Sequence, residues 1–114
     1  MDPPLRVTTE QRGDTIHLVL SGELDIASAP SIEDALRDAE EQSPPLILID
    51  LRGLRFMDST GLRTILSADA RAREAGRRLV VVQGDENIQR VFQVTKLYDR
   101  VEIVSDPAEV EPGG

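Results

Sequence analysis

This chain has no cysteine, which excludes disulfides, thiol nucleophiles and thiolate-held metals. Aromatic residues are only 3% of it, so any core must be aliphatic, built from Leu, Val, Ile and Ala. No apolar run approaches the roughly 20 residues needed to span a bilayer. The start, MDPPLRVTTE, lacks the basic and apolar segments of a secretory signal. Basic residues are also scarce relative to acidic ones, giving a net charge of −8. Nucleic acid and anionic membranes would repel such a surface, whereas a partner with a basic patch would suit it. A soluble, cytoplasmic protein is the expectation.

At 114 residues the chain has room for one core, so residues 1–114 are expected to form a single domain. LRVTTEQR and TIHLVLS flank Gly13-Asp14, a two-residue hairpin turn signal. Ile16, Leu18 and Leu20 alternate with Thr15, His17 and Val19, the period of a strand with one apolar face. In IASAPSIEDALRDAEEQ, Ile32, Ala35, Leu36 and Ala39 recur at helical spacing; Ser28 or Ser31 is placed to cap, and Pro30 suits a first turn. Ser43-Pro44-Pro45 stops that helix, and LILIDL then reads as a strand buried on both faces.

A second helix is expected from Ser59 to Ala75, with Leu62, Ile65, Leu66 and Ala72 inside and Gly76 just past its end. RLVVVQ reads as a strand, DENIQRVFQVT as a helix capped by Asp85, and VEIV as a last short strand. Gly53 and Gly84 read as turn residues. The order β-β-α-β-α-β-α-β implies an α/β fold with a mixed central sheet and packed helices. The core is placed at about residues 5–104, with the tail 105–114 frayed or forming a short helix. In such folds the loops after strand carboxyl ends carry function. SGELD and RFMDST occupy those places.

The second loop opens DSTGL, and its chemistry narrows by elimination. A hydrolase elbow needs G-x-S-x-G, but Met57 stands where the first glycine belongs. The lone histidine, His17, sits within a strand, where it reads as a packing or surface residue. Asp25, Asp50 and Asp58 show no metal-ligand spacing. A phosphate-binding loop would need more glycines and a lysine. No catalytic residue, metal or cofactor is therefore assigned. Any of Asp58, Ser59 and Thr60 suits a helix cap. Capping is compatible with switching: a phosphate at a helix start adds about −1.5 to −2 charges where the helix dipole favours them. It would alter a surface without melting the helix.

SGELD (Ser21 to Asp25), LILIDLRGLRFMDSTGL (Leu46 to Leu62) and AGRRLVVV (Ala75 to Val82) together resemble a STAS domain of the bacterial anti-sigma factor antagonist type. The resemblance runs from about residue 5 to 104. It implies a non-enzymatic partner switch with Ser59 as phosphoacceptor. It further implies an anti-sigma factor that is itself a serine-protein kinase of the histidine-kinase-like ATPase fold, and a metal-dependent phosphoserine phosphatase. The unphosphorylated antagonist would bind the anti-sigma factor and free the sigma factor for transcription. By position Asp25 matches the acidic residue of the first loop; Asp58, Thr60, Gly61 and Leu62 complete the acceptor loop and partner-binding set. Thr60 stands where the family often has serine, and the short tail implies an abbreviated terminal helix. A different STAS role, as scaffold subunit of a stress-sensing or lipid-transport complex, is the alternative.

Overall fold

A computed structural model describes residues 4–110. Strands β1 (Leu5–Arg12) and β2 (Thr15–Leu24) form the expected hairpin about Gly13, whose φ of 64° suits a residue without Cβ. There follow α1 (Ala29–Glu41), β3 (Leu46–Met57), α2 (Ser59–Ala75), β4 (Arg78–Val82), α3 (Glu86–Thr95) and β5 (Glu102–Val104). Short 3₁₀ turns lie at Leu97–Asp99 and Pro107–Glu109. The sheet order is β1-β2-β3-β4-β5; β1 runs antiparallel to β2 and all other pairs are parallel. The α/β class and element order agree with the sequence reading.

The three helices share one face of the sheet. Ile16, Leu18, Leu20, Ile47, Ile49, Leu51 and Val81 meet Ile32, Leu36, Ile65, Ile88 and Phe92 there. Leu46, Leu48, Val80 and Val82 point the other way and pack beneath Val110, which the Pro107–Glu109 turn brings back over the sheet. Two covered faces explain why LILIDL is apolar without a break. Asp50 lies on this second face, 4% exposed, with its carboxylate bonded by the Arg52 guanidinium and backbone N–H. Burial alone would raise its pKa, but the bonds and charge of Arg52 hold it below the usual carboxylate value.

Three local expectations need correction. SGEL and RFM are strand: Glu23 pairs with Phe56 and Leu24 with Met57 after register shifts at Val19/Ser21 and Gly22/Glu23. Gly53 lies inside β3 and not in a turn, whereas Gly84 is in the β4–α3 connection as expected; both are close-approach positions, because a Cβ would lie 2.9 Å from the Leu20 carbonyl oxygen and 2.4 Å from that of Leu51. The inner face of α2 consists of Gly61, Thr64, Ile65, Ala68 and Ala72, with Leu62 and Leu66 half-buried on its flanks. Small residues at its centre let that helix lie close to the sheet. Its ends are as expected: Asp58 caps the start, and Gly76 at φ 69° closes a left-handed carboxyl end. Among the described residues, the tail expected to be frayed or a short helix forms one 3₁₀ turn, Pro107–Glu109.

Candidate functional site at the carboxyl ends of β2 and β3

β2 and β3 deliver the two loops side by side. Leu24 and Met57 are the last paired residues, and the Asp58 N–H donates to the Leu24 carbonyl at 3.2 Å. Each strand is followed by an aspartate that orders its own loop. Asp25 Oδ1 accepts from the N–H groups of Ala27 (3.1 Å) and Ser28 (3.0 Å). Asp58 Oδ1 accepts from Thr60 N–H (2.9 Å) and Gly61 N–H (3.2 Å), two of the free donors in the first turn of α2. Asp50 is elsewhere, on the face covered by Val110, so the three aspartates do not converge.

The hydroxyls then divide by position. Ser59, at the first helical position, is exposed; Thr60 is half-buried, and its carbonyl accepts from Thr64 Oγ1 at 3.0 Å. Gly61 is buried because a Cβ there would lie 2.7 Å from Met57 Cγ and 2.8 Å from Leu24 Cγ. The helix start is thus pressed onto the strand ends, and Ser59 stands on a packed support. Leu62 borders the same contact, half-buried.

Several contributors escaped sequence reasoning. Ser28 precedes α1 but makes no side-chain cap; its hydroxyl donates to the Glu23 carbonyl and accepts from the Asp25 N–H, each at 2.9 Å. Gly22 adopts φ 101° under the Pro4 carbonyl, which accepts from Glu23 N–H at 2.7 Å. That glycine lets the end of β2 turn under the Pro4 carbonyl. Ile26 is 76% exposed and Phe56 46% exposed, two large apolar side chains displayed beside polar loops. An isoleucine within a polar loop is the one signal that could have marked this surface. Between α1 and α2 runs a groove of about 540 Å³, lined by Ile26, Arg37, Thr60, Arg63 and Arg71 among others. Its Arg71 is held by Glu40 at 2.9 Å.

The fold is a mixed sheet with helices on one face, and its strand ends carry an ordered hydroxyl-bearing edge flanked by exposed apolar residues. The signature of the STAS domain matches residues 6–110, and the chain belongs to that family. It is 31% identical over 101 residues to the anti-sigma-B factor antagonist of Listeria monocytogenes, covering 89% of each chain. An anti-sigma factor antagonist from Mycobacterium paratuberculosis shares the fold at a TM-score of 0.81, with 24% identity, over 92% of this chain and 89% of that one. The Bacillus cell fate determinant SpoIIAA in its phosphorylated form gives 0.72, with 21% identity, over 96% and 100%. Among the described residues no helix is long and apolar enough to cross a membrane.

Proposed function

We propose that this chain is a cytoplasmic anti-sigma factor antagonist whose binding is switched by phosphorylation of Ser59. The observation that carries the reading is an exposed hydroxyl on a packed helix start, beside exposed Ile26 and Phe56. The unmodified face docks an anti-sigma factor that is also the serine kinase, and the sigma factor is released. Phosphate on Ser59 ends docking, and a phosphatase restores the free hydroxyl. The relatives named for this activity support it.

The physical mechanism is local. Total charge matters little, because charges beyond about 8 Å are screened at physiological salt. A phosphate about 4 Å from a partner's carboxylate costs about 4 kcal/mol per unit charge pair at an effective dielectric near 20. Since each ~1.4 kcal/mol is tenfold, that suffices to abolish micromolar binding. The helix tolerates the added charge at its N-terminus, so the fold persists in both states.

The test is transfer of radiolabel from ATP by the cognate anti-sigma factor. Wild type takes label and Ser59→Ala does not; equal labelling of both would reject the site. In a binding assay Ser59→Asp loses the anti-sigma factor while its circular dichroism is unchanged. Undiminished binding would reject the charge mechanism.

A further inference from the structure

The dipole of α2 favours negative charge at Ser59, but the site offers a dianion few direct partners. The N–H groups of Thr60 and Gly61 already donate to Asp58 Oδ1, and that of Leu62 donates to the Asp58 carbonyl. The donors that would normally welcome an anion at a helix start are therefore largely spent. The Asp58 carboxylate, one residue away, repels a second negative group. The first turn of α2, Ser59 to Leu62, carries no cation. Any countercharge that this chain gives a phosphate on Ser59 must come from further along it.

Most arginines around this side of the molecule are committed. Arg71 is held by Glu40, Arg73 by Asp69 and the Arg100 carbonyl, and Arg77 by the Pro44 carbonyl. Arg63 is exposed, and among the described residues it has no hydrogen-bond or ion-pair partner. It stands four residues after Ser59 on α2, so the two Cβ atoms are about 5–6 Å apart on one face. An acidic group preceding a basic one by four residues is also the favourable order on a helix. Arg63 lines the α1–α2 groove beside Ile26 and Thr60, so its charge is part of the face read as the docking surface.

We propose that Arg63 is the intrachain partner of the phosphate on Ser59, so that modification adds negative charge and also withdraws a cation from the docking face. In the unmodified protein Arg63 is free to meet an acidic group of the partner. In the modified protein it turns back one helical turn to the phosphate. One covalent event thus changes the interface charge twice. Arg63 is a positioning residue for the switch, not a catalytic one. The inference rests on the reading of Ser59 as phosphoacceptor.

The experiment avoids the kinase. Phosphoserine is installed at position 59 during translation, and the phosphate is titrated by phosphorus NMR. In wild type the second pKa of the phosphate falls below that of Arg63→Ala, its acid constant being about twofold larger for a solvated pair at this spacing. Arg63→Lys keeps most of the difference, Arg63→Glu reverses it, and Arg71→Ala leaves it unchanged. Molar salt erases the difference, because the pair is exposed. Superimposed curves for wild type and Arg63→Ala would overturn the proposal. So would a shift that followed Arg55→Ala instead, since Arg55 near the end of β3 is also exposed and has no partner among the described residues. Failure of the kinase to label Ser59 would remove the functional reading but leave this titration standing, so the two failures are distinguishable.

Discussion

Asp58 has two roles that one pair of substitutions separates. Its Oδ1 satisfies Thr60 N–H at 2.9 Å and Gly61 N–H at 3.2 Å, and its charge lies at the positive end of α2. Asp58→Ala removes both. Loss of a cap of this kind costs about 1 kcal/mol, within a range of roughly 0.5–2. Loss of the charge–dipole interaction adds about 0.3–1 kcal/mol. At about 4 °C per kcal/mol for a domain of this size, the melting temperature should fall by roughly 4–10 °C. Asp58→Asn keeps an acceptor oxygen and loses only the charge, so its fall should be about 1–4 °C. Thermal unfolding by circular dichroism, checked against urea midpoints, measures both. If Asp58→Asn were as damaging as Asp58→Ala, or Asp58→Ala matched wild type, the cap would not be what orders this helix start. Asp58→Asn then also gives a folded protein with one charge fewer beside Ser59, suited to asking what the carboxylate contributes to labelling.

Three further outcomes follow from the geometry. Gly22→Ala must hold a φ near 101° and place its Cβ 2.1 Å from the Pro4 carbonyl oxygen. Backbone strain and the displaced Glu23–Pro4 bond together cost about 2–4 kcal/mol, read as a lowered urea midpoint; an unchanged midpoint would contradict the close approach. Gly61→Ala gains about 1 kcal/mol of helix propensity but overpacks against Leu24 and Met57 by about 1–3, so a net loss near 1 kcal/mol is expected in the same assay. Burial and nearby Arg12 lower the pKa of His17, although Glu10 and Asp50 oppose them. The unfolded chain then binds more protons just below pH 6.5, so stability falls as pH falls through that region, and His17→Gln should flatten the slope there. The corresponding loss from Asp50 lies lower, as pH drops below about 4 toward its depressed native value.

What could be read from the chain alone was what depends on neighbours in sequence. Both ends of α2 were legible because Asp58 and Gly76 act on the turn beside them. The buried strands were legible because LILIDL and RLVVVQ are apolar on both faces. The length of β2 and β3 was not, because Glu23 meets Phe56 across more than thirty intervening positions, and polar end residues carry no strand period. Gly53 looks like a turn residue until the Leu20 carbonyl is brought against it. Ser28 resembles a cap and instead ties the first loop. At the candidate site the loops and their aspartates were legible, whereas Ile26, Phe56 and the uncommitted Arg63 became visible only through exposure and pairing.

The sheet runs in chain order, β1 through β5, and this divides labour along the polypeptide. Every residue assigned to the site lies before the end of α2. β4 packs under that helix, α3 packs on β3, and Val104 of β5 with Val110 after the closing turn covers Leu46, Leu48, Val80 and Val82. On the proposed reading, the first part of the chain writes the recognition surface, and the last part writes mainly its stability. Substitutions in the two parts have separate currencies, so firmness can drift in the carboxyl-terminal third while partner choice is tuned upstream. An engineer who wants a sturdier version with unchanged partners should begin after Gly76.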